Sequence, residues 1–150
     1  MPSLTIQRTV NAPAQRAFAH FSDLANVPAM IPAIKKLEIL TPGPVGKGTR
    51  FRETRIMFGK EATETMEITA FEPPRSYTVE GHSCGSLYAT TFSFEPAGSA
   101  ATLVTMHFSC HAQTLTAKLM IPLSFLLMGV MRKALESDMD AMKAAAERAG

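Results

Sequence analysis

"TRFRETRIMFGKEATETMEITAF", residues 49–71, alternates apolar and polar side chains on both sides of Gly59-Lys60. A period of two marks half-buried β-strands, and a glycine at the first central position suits a two-residue type II′ turn. With Gly59 and Lys60 as the turn, Phe58 sits opposite Glu61 and Arg55 opposite Glu64. One face carries Phe51, Glu53, Arg55, Met57, Ala62, Glu64, Met66, Ile68 and Ala70; the other carries residues such as Arg52, Thr54, Thr63, Thr65 and Glu67. The first face is the more apolar and is expected to point inward, taking Glu53, Arg55 and Glu64 with it.

The pattern continues on both sides. Turn signals at "EPPRS" (72–76), "HSCGS" (82–86) and "EPAGSAA" (95–101) divide the following chain into short strands, which predicts an antiparallel meander. Tyr77 and Val79, then Tyr88, Thr90, Phe92 and Phe94, then Val104, Met106, Phe108 and Cys110 share the inward phase. Upstream, Leu4, Ile6 and Val10 alternate with Thr5, Gln7 and Thr9, which predicts a strand over about residues 3–10. "NAPAQRAFAHFSD" (11–23) predicts a helix of about two turns, with Asn11 as a capping-type residue and Pro13 in the first turn. "LANVPAMIP" (24–32) allows a second short helix before Pro32, and "IKKLEIL" (34–40) returns to strand composition.

Downstream of His111 the period becomes helical. Met128, Met131, Leu135, Met139, Met142 and Ala146 recur at steps of three and four, which predicts a helix over about 115–148, with Pro122 either kinking it or starting its long part. Arg132, Lys133, Glu136, Asp138, Asp140, Lys143, Glu147 and Arg148 are expected on its solvated side. Within it, "LMIPLSFLLMGVM" (119–131) holds thirteen residues without a charge. A helix needs about 20 apolar residues to cross a bilayer, so this stretch is expected to cover the sheet. The chain as a whole (1–150) reads as one α+β domain, its concave sheet closed by the last helix.

Bulk properties exclude several classes. At 46% hydrophobic and 19% charged residues, the chain is too apolar for disorder. A net charge of +2 with scattered basic residues gives little support for nucleic acid binding. Cys84 and Cys110 form neither a CxxC pair nor a disulfide framework, and "MPSLTIQRTV" lacks the apolar core of a signal peptide. A cytoplasmic setting is therefore expected. His107 and His111 have HxxxH spacing, but in a strand they stand about 13 Å apart, too far for one ion. No metal site and no cofactor is expected, and no Walker, Rossmann or nucleophile-elbow motif is present.

Two features bear on function. An inward Glu53, Arg55 and Glu64 either form a cross-strand salt bridge near the mouth of the sheet or hold a cation ready to orient a ligand carbonyl, carboxylate or phenol. The methionines, among them Met120, Met128 and Met131 on the last helix, either fill the core or line a permissive apolar pocket.

"TVNAPAQRAFAHFSDLANVPAMIPAIKKLEIL", "VGKGTRFRE", "ITAFEPPRSYTVEG" and the closing helix together resemble the START-like or SRPBCC superfamily, specifically its polyketide cyclase/dehydrase and lipid-transport branch. The resemblance implies a helix-grip fold: seven antiparallel strands curved around a long C-terminal helix, two short helices between strands 1 and 2, and a deep apolar cavity. Relatives often carry a Trp shortly before the proline after the second helix, where this chain has Met30. The superfamily has no universal catalytic residues, so no catalytic residue is assigned.

The first reading is non-catalytic binding or transport of a hydrophobic small molecule: a lipid, quinone or aromatic polyketide-like compound. Expected ligand-binding residues are Met30, Phe51, Glu53, Arg55, Glu64, Met66, Tyr77, Tyr88, Phe92, Met106, Phe108, Met120, Leu127 and Met131. A cyclase or dehydratase-type enzyme using polar residues of the same cavity is the second reading, and a protein-interaction modulator the third. A homodimer is compatible with all three.

Overall fold

The computed structural model describes residues 3–57, 59–83, 85–115 and 121–148, with side chains for all of these except 57, 83 and 121–128. The elements run β1 (Ser3–Val10), α1 (Ala14–Phe21), a 3-10 turn (Leu24–Asn26), α2 (Val27–Met30), β2 (Ile34–Ile39), β3 (Arg50–Met57), β4 (Lys60–Glu72), β5 (Ser76–Ser83), β6 (Ser86–Pro96), β7 (Thr102–Ala112) and α3 (Ile121–Arg148). The strands form a single antiparallel sheet in the order β1-β7-β6-β5-β4-β3-β2. The expected fold class is the observed one.

Three local expectations are corrected. In the β3–β4 hairpin Met57 pairs with Lys60, Arg55 with Ala62 and Glu53 with Glu64. The register is thus two residues away from the one expected, the last pair before the turn being Met57 and Lys60. Gly59, at φ +77, takes the second central position, where a left-handed backbone is easiest for glycine. A two-residue shift preserves which side chains point inward, so the faces survive and only the partners change.

Further along β4 the register shifts between Ile68 and Ala70. The bulge turns Ala70 outward and brings Phe71 in, where its ring meets Phe18 at 5.3 Å. At α1 the N-cap is Pro13, and no side chain caps the helix. Asn11 instead donates its backbone N–H to Glu147 Oε2 at 2.8 Å, joining the start of the chain to the end of α3. Pro122 stands in the first turn of α3, where its missing N–H costs nothing.

The core lies between the concave face and the helices. Phe18, Phe21, Phe71, Tyr77, Phe92 and Phe94 form one aromatic cluster, with ring centroids from 5.0 to 6.5 Å apart. Met139, Met142 and Ala146 of α3 pack into the same core, as their spacing predicts. Tyr77 donates its hydroxyl hydrogen to the Phe21 carbonyl at 2.8 Å, fixing the exit of α1. Among the described residues no helix is long and apolar enough to cross a membrane.

Candidate functional site

The concave face carries different inward side chains along its strands. Cross-strand registers join Phe51, Met66, Gly81, Tyr88 and Cys110 in one row and Arg55 with Ala62 beside it. Ala62, Gly81 and Cys110 are small, so this part of the face is recessed. Between it and the helices lies a cavity of about 590 Å³, within the range of roughly 300–1,000 Å³ that small-molecule sites occupy. Its walls are predominantly apolar: Leu24, Val27, Ile31, Ile34 and Leu37 from the α1–β2 region, Tyr88, Phe92, Met106 and Phe108 from the sheet, and Met131, Leu135 and Met142 from α3.

A polar cluster interrupts this wall. Arg55 on β3 donates from Nη2 to Asp138 Oδ2 at 2.9 Å and from Nε to Glu53 Oε2 at 3.4 Å. Side-chain exposures of 17% for Arg55, 16% for Glu53 and 7% for Asp138 place all three largely out of solvent. Burial raises the pKa of both carboxyls above the ordinary range, because Arg55 offsets only part of the desolvation and each additional carboxylate near Glu53 opposes its charge. Arg55 behaves oppositely. Burial works against its charge, but Asp138 and then Glu53 outweigh it and raise its pKa. One cation divided between two carboxylates is well satisfied, whereas each carboxylate receives only part of a cation.

Asp138 is the functional candidate that the sequence reading misplaced. Assigned to the solvated side of α3, it is 5% exposed and faces the cavity. The signal was available: Met131, Leu135, Asp138 and Met142 follow at steps of four, three and four, a single helical stripe. The second carboxylate bonded to Arg55 is thus Asp138 from the helix, and Glu64 faces Glu53 across the hairpin.

Of the residues expected at the site, Phe51, Glu53, Arg55, Glu64, Met66, Tyr77, Tyr88, Phe92, Met106, Phe108 and Met131 all line the cavity. Met30 does not; it packs half-buried against the core, because Val27 and Ile31 occupy the inward positions of that turn. Met120 and the side chain of Leu127 fall outside the described residues. The sequence reading missed Leu24, Val27, Ile31, Ile34 and Leu37, whose segment it read as a short helix and a strand without assigning side chains to the cavity. His107 and His111 lie on the exposed face, where Thr5 Oγ1 meets His107 Nδ1 at 3.0 Å. Among the described residues no group of three or more His, Cys, Asp or Glu is placed to hold a metal ion.

Residues 1–147 match the family profile described as polyketide cyclase/dehydrase and lipid transport. The chain belongs to this family. No curated protein sequence matches it significantly. Solved structures agree on the fold. A protein of Thermus thermophilus is 19% identical with a TM-score of 0.80, each chain covered over 99%. A START superfamily protein from Mycobacterium smegmatis is 18% identical with a TM-score of 0.79, again over 99% of each chain. The Zhui aromatase/cyclase from Streptomyces sp. R1128 is 20% identical with a TM-score of 0.76, covering 98% of this chain and 94% of its own. At these identities the family fold is shared, and the chemistry must be argued from this chain's own cavity.

Proposed function

We propose that this family member binds a hydrophobic small molecule in the cavity between the sheet and α3, with Glu53, Arg55 and Asp138 engaging the ligand's polar end. The observation that carries the reading is the cavity of about 590 Å³ with apolar walls and one buried ion cluster. An apolar body gains by leaving water for such walls, and a few polar groups fix its orientation. The expected result is saturable binding of one neutral fluorescent probe, N-phenyl-1-naphthylamine, per chain. Filling the cavity with Met106→Trp should reduce it strongly, and native mass spectrometry of the purified protein should reveal a co-purified apolar ligand. A wild-type protein that binds neither probe nor ligand ends this reading.

One observation favours a second reading, an enzyme of the cyclase or dehydratase type. Glu53 and Asp138 hold protons more tightly than ordinary carboxyls and flank a guanidinium, an arrangement suited to proton transfer beside a developing enolate. Glu53→Gln and Asp138→Asn should then abolish turnover of an aromatic-polyketide-type substrate while neutral probes still bind. Variants that keep turnover leave binding alone.

A further inference from the structure

The charged groups lining the cavity do not balance. Among the described lining residues Glu53, Glu61, Glu64 and Asp138 stand against Arg55 and Lys60, four carboxylates against two cations, on a chain whose overall charge is +2. Residues 116–128 carry a single charge in the sequence, Lys118, too little to reverse the sign. At the buried end the imbalance persists, since Arg55 faces both Glu53 and Asp138. Each of these carboxylates bonds Arg55 through one oxygen, leaving Glu53 Oε1 and Asp138 Oδ1 without a hydrogen bond among the described residues. Both residues line the void, so the polar end of the cavity offers acceptors to an incoming group.

Resting on the binding reading above, we infer that the cavity selects an amphipathic ligand whose polar end is a protonated amine, in preference to a carboxylate of the same apolar length. An ammonium group donates to the carboxylate oxygens that Arg55 does not bond and neutralises the surplus charge. A carboxylate head would add to that charge, and Arg55, the one buried cation among the described lining residues, is already bonded to Asp138 and Glu53. In a largely apolar enclosure such a difference acts at short range with weak screening. Burial raises the proton affinity of Glu53 and Asp138, and a second cation beside them would oppose that rise.

The test displaces N-phenyl-1-naphthylamine from the intact protein at neutral pH with decylamine, decanol and decanoate, all kept below their aggregation limits. The expected order is amine, alcohol, carboxylate, with at least about tenfold between the ends. Glu53→Gln combined with Asp138→Asn should bring the ratio of amine to carboxylate affinity toward one. The exposed Glu61→Lys should lower it without disturbing the buried cluster. If the probe and decanol bind but decanoate matches or exceeds decylamine, the inference is overturned and the apolar cavity stands. An amine preference indifferent to both variants also overturns it, since the selectivity would then arise elsewhere. Failure of the probe and all three chains to bind removes this inference together with the reading it rests on.

Discussion

At one end of the concave face Phe18 of α1 meets Phe71, Tyr77 and Phe94 in edge-on contacts that fill the space under the helix; at the other, Tyr88, Phe108, Cys110 and Met131 border a void. Both ends belong to the same strands. The difference lies in side-chain volume: the filled rows present large rings, and the hollow rows alternate them with Ala62, Gly81 and Cys110. At Gly81 an added Cβ would lie 2.9 Å from Met66 Cγ, so even this small position is closed by a flexible neighbour. A solid end can hold the fold while a hollow end gives up packing to host a ligand.

The contrast is sharpest under truncation. Phe18→Ala should cost about 3–5 kcal/mol, because rings on three sides would be left facing an empty space. Phe108→Ala should cost at least about 1 kcal/mol less, since its ring already borders the cavity and fewer contacts are lost. Urea midpoints at unchanged slope measure both. Equal losses would mean that the hollow end is closed in solution.

Removing the cation comes next in size. Arg55→Met should cost about 2 kcal/mol at neutral pH, by leaving Asp138 and Glu53 buried without their shared partner. Its pH dependence has a definite sign. Both carboxyls have folded-state pKa values above the ordinary range, so the native state holds their protons more tightly than the unfolded state. Their contribution to stability is fully present below the ordinary carboxylate range and is lost as pH rises through the raised values. The Arg55→Met penalty should therefore grow on going from about pH 5 to pH 8. A penalty that is flat across that interval would show the carboxyls to be solvated.

Overpacking separates the two ends again. Val104→Phe, at a position with 0% exposure, should cost about 1–3 kcal/mol. Cys110→Phe has the cavity to enter, so it should cost less than about 1 kcal/mol while displacing the neutral probe. If both variants are equally destabilised, the void is not available to a side chain.

These differences also mark what the sequence could convey. Alternation in residues 49–71 predicts two strands and their inward faces, because burial of one face imposes a period of two. It does not fix the partners, since a shift of two residues leaves every face unchanged and only the turn decides between Arg55 opposite Glu64 and Arg55 opposite Ala62. Asp138 escaped for another reason: its charge suggested solvent, while its position in the stripe of Met131, Leu135 and Met142 pointed inward. The void was the least legible feature. Apolar periodicity reports which residues leave water, and a residue that packs against a ring or against a future ligand gives the same signal.

Tyr77 stands where the two ends meet, stacked on Phe92 at 5.0 Å and also lining the cavity. Its hydroxyl donates to the Phe21 carbonyl, and burial pushes the phenol pKa well above its ordinary value. Tyr77→Phe should cost about 1 kcal/mol, the net value of one buried hydrogen bond, without altering the ring packing. The tyrosinate absorbance observed up to about pH 11 should be the same in this variant as in the unaltered protein, because Tyr77 remains protonated there. A lost absorbance step would mean that water reaches Tyr77 through the cavity, and the boundary between the solid and hollow ends would then lie deeper, at Phe18 and Phe94.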